Sequence, residues 1–283
     1  MKIRSLTYFV KPRKWSLDAI RREIEKAEKV LSELGEKVGE FMQVWTLRIA
    51  MPPVPQYFDP ERLLEVEPDG RFLYAPFHLS ADDPRVGDLP TMLANSKAYG
   101  SVKVKERGDV KVAAETVLKV SEIDKDASTR FAVVFGRRQA TPYFPAASTG
   151  TKEGVAVALL YVEEAERDMG SGIRLPKRIG DLGRFLEMEA NKLGTRFLGF
   201  DLSLSPWMEE STGRLAERVS GVKLPMPGTL EAVSRINTYI RNLGLLAKVT
   251  MVGFNELMLP VGEDSLLKER VLYGEVDLED LSR

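Results

Sequence analysis

Two polar turns carry the side chains best suited to chemistry. The first lies in GFDLSLSPW at 199–207, where Asp201, Ser203 and Ser205 alternate after an apolar run. The period of two in a strand puts these three side chains on one face. The second lies in MVGFNELMLPVGEDS at 251–265 and supplies Asn255, Glu256, Glu263 and Asp264. Two or more carboxylates at one site can hold a hard cation or divide acid and base roles. Asp201, Glu256 and Glu263 are therefore candidate catalytic groups, with Ser203, Ser205, Asn255 and Asp264 as ligand-binding groups. Each has a plainer reading. Asp201 could brace its loop. Glu263 and Asp264 precede a helical pattern, where acids cap the first turn and favour the dipole.

A third polar stretch, GRRQATPYFPAASTG at 136–150, offers guanidinium groups and hydroxyls, among them Arg138, Ser148 and Thr149. Such a set suits a carboxylate or phosphate, and its length marks a candidate functional loop. It contains neither GxxxxGK[ST] nor GxGxxG. The plainer reading is a structural loop with exposed arginines. His78 is the one histidine and a candidate general base, unless it is simply a buried hydrogen-bonding group. Trp207 adjoins the first turn and reads as a packing residue.

Elements that could position these groups follow from periodicity. Strands are expected over Lys2–Val10, Phe41–Met51, Arg71–Leu79, Gly100–Lys105 and Arg130–Phe135, the last as a buried strand. Another ends at Asp201, and one more is expected over Leu245–Val252. Val155–Val162 is a strand or the start of a helix. Helical spacing follows Ser16 as far as Gly35 and Gly39, and recurs over Val110–Val120, Lys177–Leu193, Glu209–Val219, Gly228–Leu243 and Asp264–Tyr273. The alternation of strands and helices predicts a largely parallel sheet within a single α/β domain spanning 1–283. In such folds ligands bind at the carboxyl ends of strands, and both polar turns fall there.

Composition narrows the chemistry. The chain has 283 residues, no cysteine and a formal charge of −1. Thiolate metal sites, iron–sulfur ligation and cysteine nucleophiles are excluded for it. A single histidine leaves oxygen donors, so a bound metal would be magnesium or calcium in preference to zinc or iron. There is no basic field to attract nucleic acid, and the run VAVALLYV at 155–162 is too short to cross a bilayer. The expectation is a cytoplasmic protein with a small-molecule ligand, no nucleic-acid or membrane partner, and room for a homo-oligomer. Charged residues at 29% with few Asn and Gln resemble thermophilic proteins.

The segments GFDLSLSPW at 199–207, PMPGTLEAVSRIN at 225–237 and GFNELMLPVGEDSLLKERV at 253–271 resemble the uncharacterised family known as domain of unknown function 711. The opening KIRSLTYFV and the loop TPYFPAAS at 141–148 are similar to its first strand and mid-chain loop. The resemblance implies a fold related to the α/β barrels of pyruvate formate-lyase and ribonucleotide reductase, with closure of the barrel left open. Those enzymes use a barrel cysteine, which this chain lacks, so their radical chemistry does not carry over. The functional expectation thus rests on the residues. It is an enzyme acting on a small polar or anionic metabolite through a carboxylate-lined pocket, or a non-catalytic metabolite-binding or regulatory protein using the same pocket.

Overall fold

A computed structural model describes residues 1–136, 140–148, 152–171 and 174–282. In chain order it contains β1 (Lys2–Phe9), α1 (Leu17–Gly39), β2 (Val44–Ala50), β3 (Phe72–Ala75), β4 (Phe77–Ser80), α2 (Leu89–Ala94), β5 (Gly100–Val104), α3 (Asp109–Ile123), α4 (Lys125–Ser128) and β6 (Phe131–Phe135). It continues with β7 (Gly154–Leu160), α5 (Val162–Ser171), α6 (Arg174–Lys192), β8 (Phe197–Asp201), α7 (Thr212–Ser220), α8 (Thr229–Ala247), α9 (Ser265–Leu272) and α10 (Leu278–Ser282). The fold is mixed α/β. One sheet has the order β3-β2-β1-β7-β8 and the other β4-β5-β6. The β2–β3, β4–β5 and β5–β6 pairs are parallel. No closed ring of strands forms among the described residues.

The chain divides into two compact units. One comprises Met1–Arg4, Ala158–Leu186 and Gly199–Arg283. The other comprises Ser5–Val157 and Glu187–Leu198. In the second, α1 buries Ile20, Ile24, Ala27, Leu31 and Leu34, the helical spacing read from the sequence. The expected third strand is interrupted at Pro76, which has no N–H for a ladder, so β3 and β4 enter different sheets. Residues 82–96 hold two pieces, a 3-10 turn at Pro84–Gly87 and then α2, whose first turn accommodates Pro90. β6 is half-buried rather than buried, because it lies at the edge of its sheet. β7 resolves the ambiguity as a strand over Gly154–Leu160 that is buried throughout, with Val162 beginning α5.

In the first unit two expectations change. The helix expected from Glu209 starts only at Thr212, since Trp207 and Glu210 form a bridge ahead of it. The strand expected over Leu245–Val252 is absent. Leu245–Ala247 complete α8, Lys248 ends it in the left-handed conformation at φ 56°, and only Met251 bridges β8, in parallel with Phe200. Leu245 and Leu246 are 73% and 66% exposed, so their apolar run marked no buried strand. α6 lies close over β8: a Cβ at Gly183 would stand 3.2 Å from a ring carbon of Phe200.

Candidate functional site

Strand β8 ends in Asp201, and the segment beyond Met251 runs beside it. The Asp201 carboxylate is fully buried. Its Oδ1 accepts hydrogen bonds from the Ser203 backbone N–H at 3.1 Å, the Ser203 hydroxyl at 2.7 Å and the Asn255 N–H at 3.1 Å. Its Oδ2 accepts from the Phe254 N–H at 3.0 Å. A charge taken out of water requires such donors. Consecutive backbone N–H groups form an anion-binding concavity, and here the chain's own carboxylate occupies it. Ser203 extends the same braid, its hydroxyl accepting from the Glu256 N–H at 3.1 Å.

This braid fixes Asn255 in the left-handed region at φ 57°. Asn is among the few residues other than glycine that adopt it readily, and its side chain adds local bonds. Oδ1 accepts from the Leu202 N–H at 2.9 Å, and Nδ2 donates to the Val252 carbonyl at 2.9 Å. The tight turn directs the next residue, Glu256, toward solvent. Asn255 and Glu256 line a cleft of about 430 Å³ with Asn237, Arg241, Leu245, Met251 and Phe254. Asn237 is held by accepting from the Leu257 N–H at 2.7 Å. The cleft thus presents a guanidinium, a carboxylate and amides beside Phe254 and Met251. Such a mixture suits a small ligand bearing both charge and apolar surface.

The remaining expected groups lie elsewhere. Glu263 pairs with the buried Arg4 at 2.6 Å, and Arg4 also donates to the Pro206 carbonyl and stands 5.9 Å over the Trp207 ring. Asp264 is buried and caps α9, accepting from the Leu266 and Leu267 N–H groups; it also accepts from the Ser211 hydroxyl at 2.6 Å and the Gly213 N–H at 2.9 Å. Ser205 is buried. His78 and Ser148 belong to the second unit. His78 Nδ1 lies 2.8 Å from the Ser101 hydroxyl, directly across the β4–β5 pair, and the Ser148 hydroxyl donates to the Met51 carbonyl. Arg138 and Thr149 lie outside the described residues. Among the described residues no three His, Asp or Glu side chains gather into a metal-holding group.

Glu210 adds a perturbed carboxyl near the first turn. Burial pushes it above its ordinary 4.5, although the Val162 N–H donates to it at 2.9 Å. Neither Asn237 nor Arg241 was singled out by sequence reasoning. Their signal was the spacing of Asn237, Arg241 and Leu245, which puts them on one face of a helix.

A UPF0210 protein of Pyrobaculum islandicum is 28% identical over 190 residues, 61% of this chain and 42% of that protein. One from Sulfurisphaera tokodaii is 24% identical over 319 residues, 94% of this chain and 68% of that protein. One from Lachnospira eligens is 24% identical, with 71% of this chain and 51% of that protein covered. The chain therefore spans less than half of the first relative and about half of the third. Residues 174–283, which contain both polar turns and the cleft's lining, match the model described as Uncharacterised ACR (DUF711), and it is this family that the protein resembles.

Proposed function

We propose that the protein is an enzyme acting on a small polar or anionic metabolite in the cleft at Asn255 and Glu256. The observation that supports this reading is the presence of Arg241 and Glu256 on one concave surface beside a turn held in the left-handed conformation. Arg241 would take the ligand's anionic group, and Glu256 would serve as the acid or base. Asp201 and Ser203 would act as positioning residues, because their polar atoms are engaged in shaping the turn. Glu263, Asp264, Ser205, His78 and Ser148 would contribute outside this cleft. The proposal includes a cytoplasmic setting, a barrel-like arrangement of the strands and room for a homo-oligomer. A non-catalytic metabolite-binding role would use the same cleft without turnover.

A metabolite library screened by thermal shift, with and without magnesium or calcium, tests it. A ligand at 100 times its dissociation constant stabilises by about 2.7 kcal/mol. The expected result is a hit whose stabilisation is lost in Arg241→Ala and whose conversion is lost in Glu256→Gln with binding retained. Binding in all variants without conversion would favour the non-catalytic role. A hit indifferent to both substitutions would exclude this cleft.

A further inference from the structure

The first unit holds a second concave region that the Asn255 cleft does not include. A cleft of about 520 Å³ is lined by Glu164, Arg167, Asp168, Arg174, Leu175 and Arg178. Three guanidinium groups on one small surface repel each other unless acids offset them. The local acids are committed elsewhere. Asp168 is buried, accepts from the Leu175 N–H at 3.2 Å through Oδ1, and takes the Tyr239 hydroxyl at 2.9 Å through Oδ2. Glu164 pairs with the terminal amine of Met1. Arg167 pairs with Glu163 at 3.8 Å and donates to its carbonyl at 3.2 Å, both side chains being about 70% exposed. Arg174 and Arg178 form no ion pair among the described residues. The first turn of α6, which carries Arg174, has no acidic residue.

Asp168 also borders an adjoining cleft of about 460 Å³, where Ser234, Arg235, Thr238 and Asn242 of α8 stand beside Met169 and Leu246. These residues lie on the stripe of α8 next to that of Asn237 and Arg241, and Arg241 donates to the Thr238 hydroxyl at 3.4 Å. We infer that the two clefts form one binding site for an organic phosphate. Arg167, Arg174 and Arg178 take the phosphoryl group, whose oxygens match the planar fork of a guanidinium. The hydroxyl and amide groups on α8 receive the ligand's polar body. Asp168 joins the two parts by fixing the start of α6 and the Tyr239 ring.

The test uses inorganic pyrophosphate and ribose 5-phosphate as probes, titrated calorimetrically against the full chain at fixed ionic strength. Arg174→Ala/Arg178→Ala should weaken both probes at least tenfold. Asn242→Ala should weaken ribose 5-phosphate while leaving pyrophosphate within twofold. Removing two exposed arginines elsewhere, Arg62→Ala/Arg71→Ala, controls for lost net charge and should change either affinity by less than twofold. All four substituted arginine positions in the test and control are at the surface, and hydrogen exchange at residues 174–178 with and without ribose 5-phosphate gives a second readout on the unmodified chain. The inference is overturned if the wild type shows no saturable binding. Equal weakening by both arginine pairs, or no weakening by the first, also overturns it.

Discussion

At the scale of the residue, Asp201 shows how a chemically suggestive carboxylate can spend its acceptors inside the protein. Four donors from Ser203, Phe254 and Asn255 reach it directly. Asp201→Asn removes the charge and puts an amide N–H among donors. The expected loss is about 1.5–3 kcal/mol in denaturant unfolding, the worth of hydrogen bonds to a charged group. An unchanged midpoint would mean that these bonds contribute nothing net, and the positioning role would fall with them. Asp264 belongs to the same class. Capping α9 and receiving Ser211 and Gly213, it joins two helices through one side chain. Asp264→Ala should cost about 2 kcal/mol or more, since a cap alone is worth up to that amount and further donors are left unmet. Asp264→Asn should recover part of it. Equal stability of Ala and Asn variants would contradict this account.

At the scale of the element, backbone approach sets the geometry of the cleft. β8 carries Gly199 at φ 131°, and a Cβ there would lie 2.3 Å from the Thr250 carbonyl oxygen. The segment from Thr250 can therefore run directly against β8, as the Phe200 N–H bond to the Thr250 carbonyl at 2.9 Å records. Gly199→Ala must either part the two segments or move the turn at Asn255. Combining an unfavourable φ with overpacking, the expected cost is at least about 2 kcal/mol. A thermal melt of that variant, compared with Gly70→Ala, where a Cβ meets nothing, measures it. A midpoint equal to the Gly70→Ala control would rule out the close approach.

At the scale of the whole molecule, stability should fall in acid. The Arg85 guanidinium holds Asp83 below its ordinary 3.8. Burial pushes Glu153 up, but hydrogen bonds from Lys26 and Tyr8 outweigh it and leave the carboxyl below 4.5. Lys192 and then Lys37 hold Glu189 below 4.5 as well. These three carboxylates bind protons more weakly in the folded chain than in the unfolded one. Their contribution is complete above the ordinary values and is lost as pH falls through them. Glu210 runs the other way, because burial raises it; its contribution is present in acid and lost as pH rises above 4.5. With three groups against one, the denaturation midpoint should drop between about pH 5 and pH 3. Glu153→Gln should shallow that drop, and Glu210→Gln should steepen it. A midpoint flat across this range would contradict the balance.

Much of the site's neighbourhood was legible in the chain because it depended on local rules. The apolar run before Asp201 and its alternation with Ser203 and Ser205 marked the end of β8, and acids before Ser265 marked a helix start. Absence of cysteine was complete information. The resemblance to one family also rested on residues alone, and the model match over 174–283 agrees with it. What the chain could not state was which polar side chains face one another. Leu245–Ala247 had the apolar content of a strand, yet they finish α8 because helix hydrogen bonds continue to Lys248. Asn237 and Arg241 look like ordinary exposed helix residues until the turn at Asn255 is placed beside them. Asp201, Glu263 and Asp264 have the same chemistry in the sequence. Only the tertiary structure gives the first to backbone amides, the second to Arg4 and the third to two helix ends, because burial and partner supply, which no local pattern records, decide what a carboxylate is able to do.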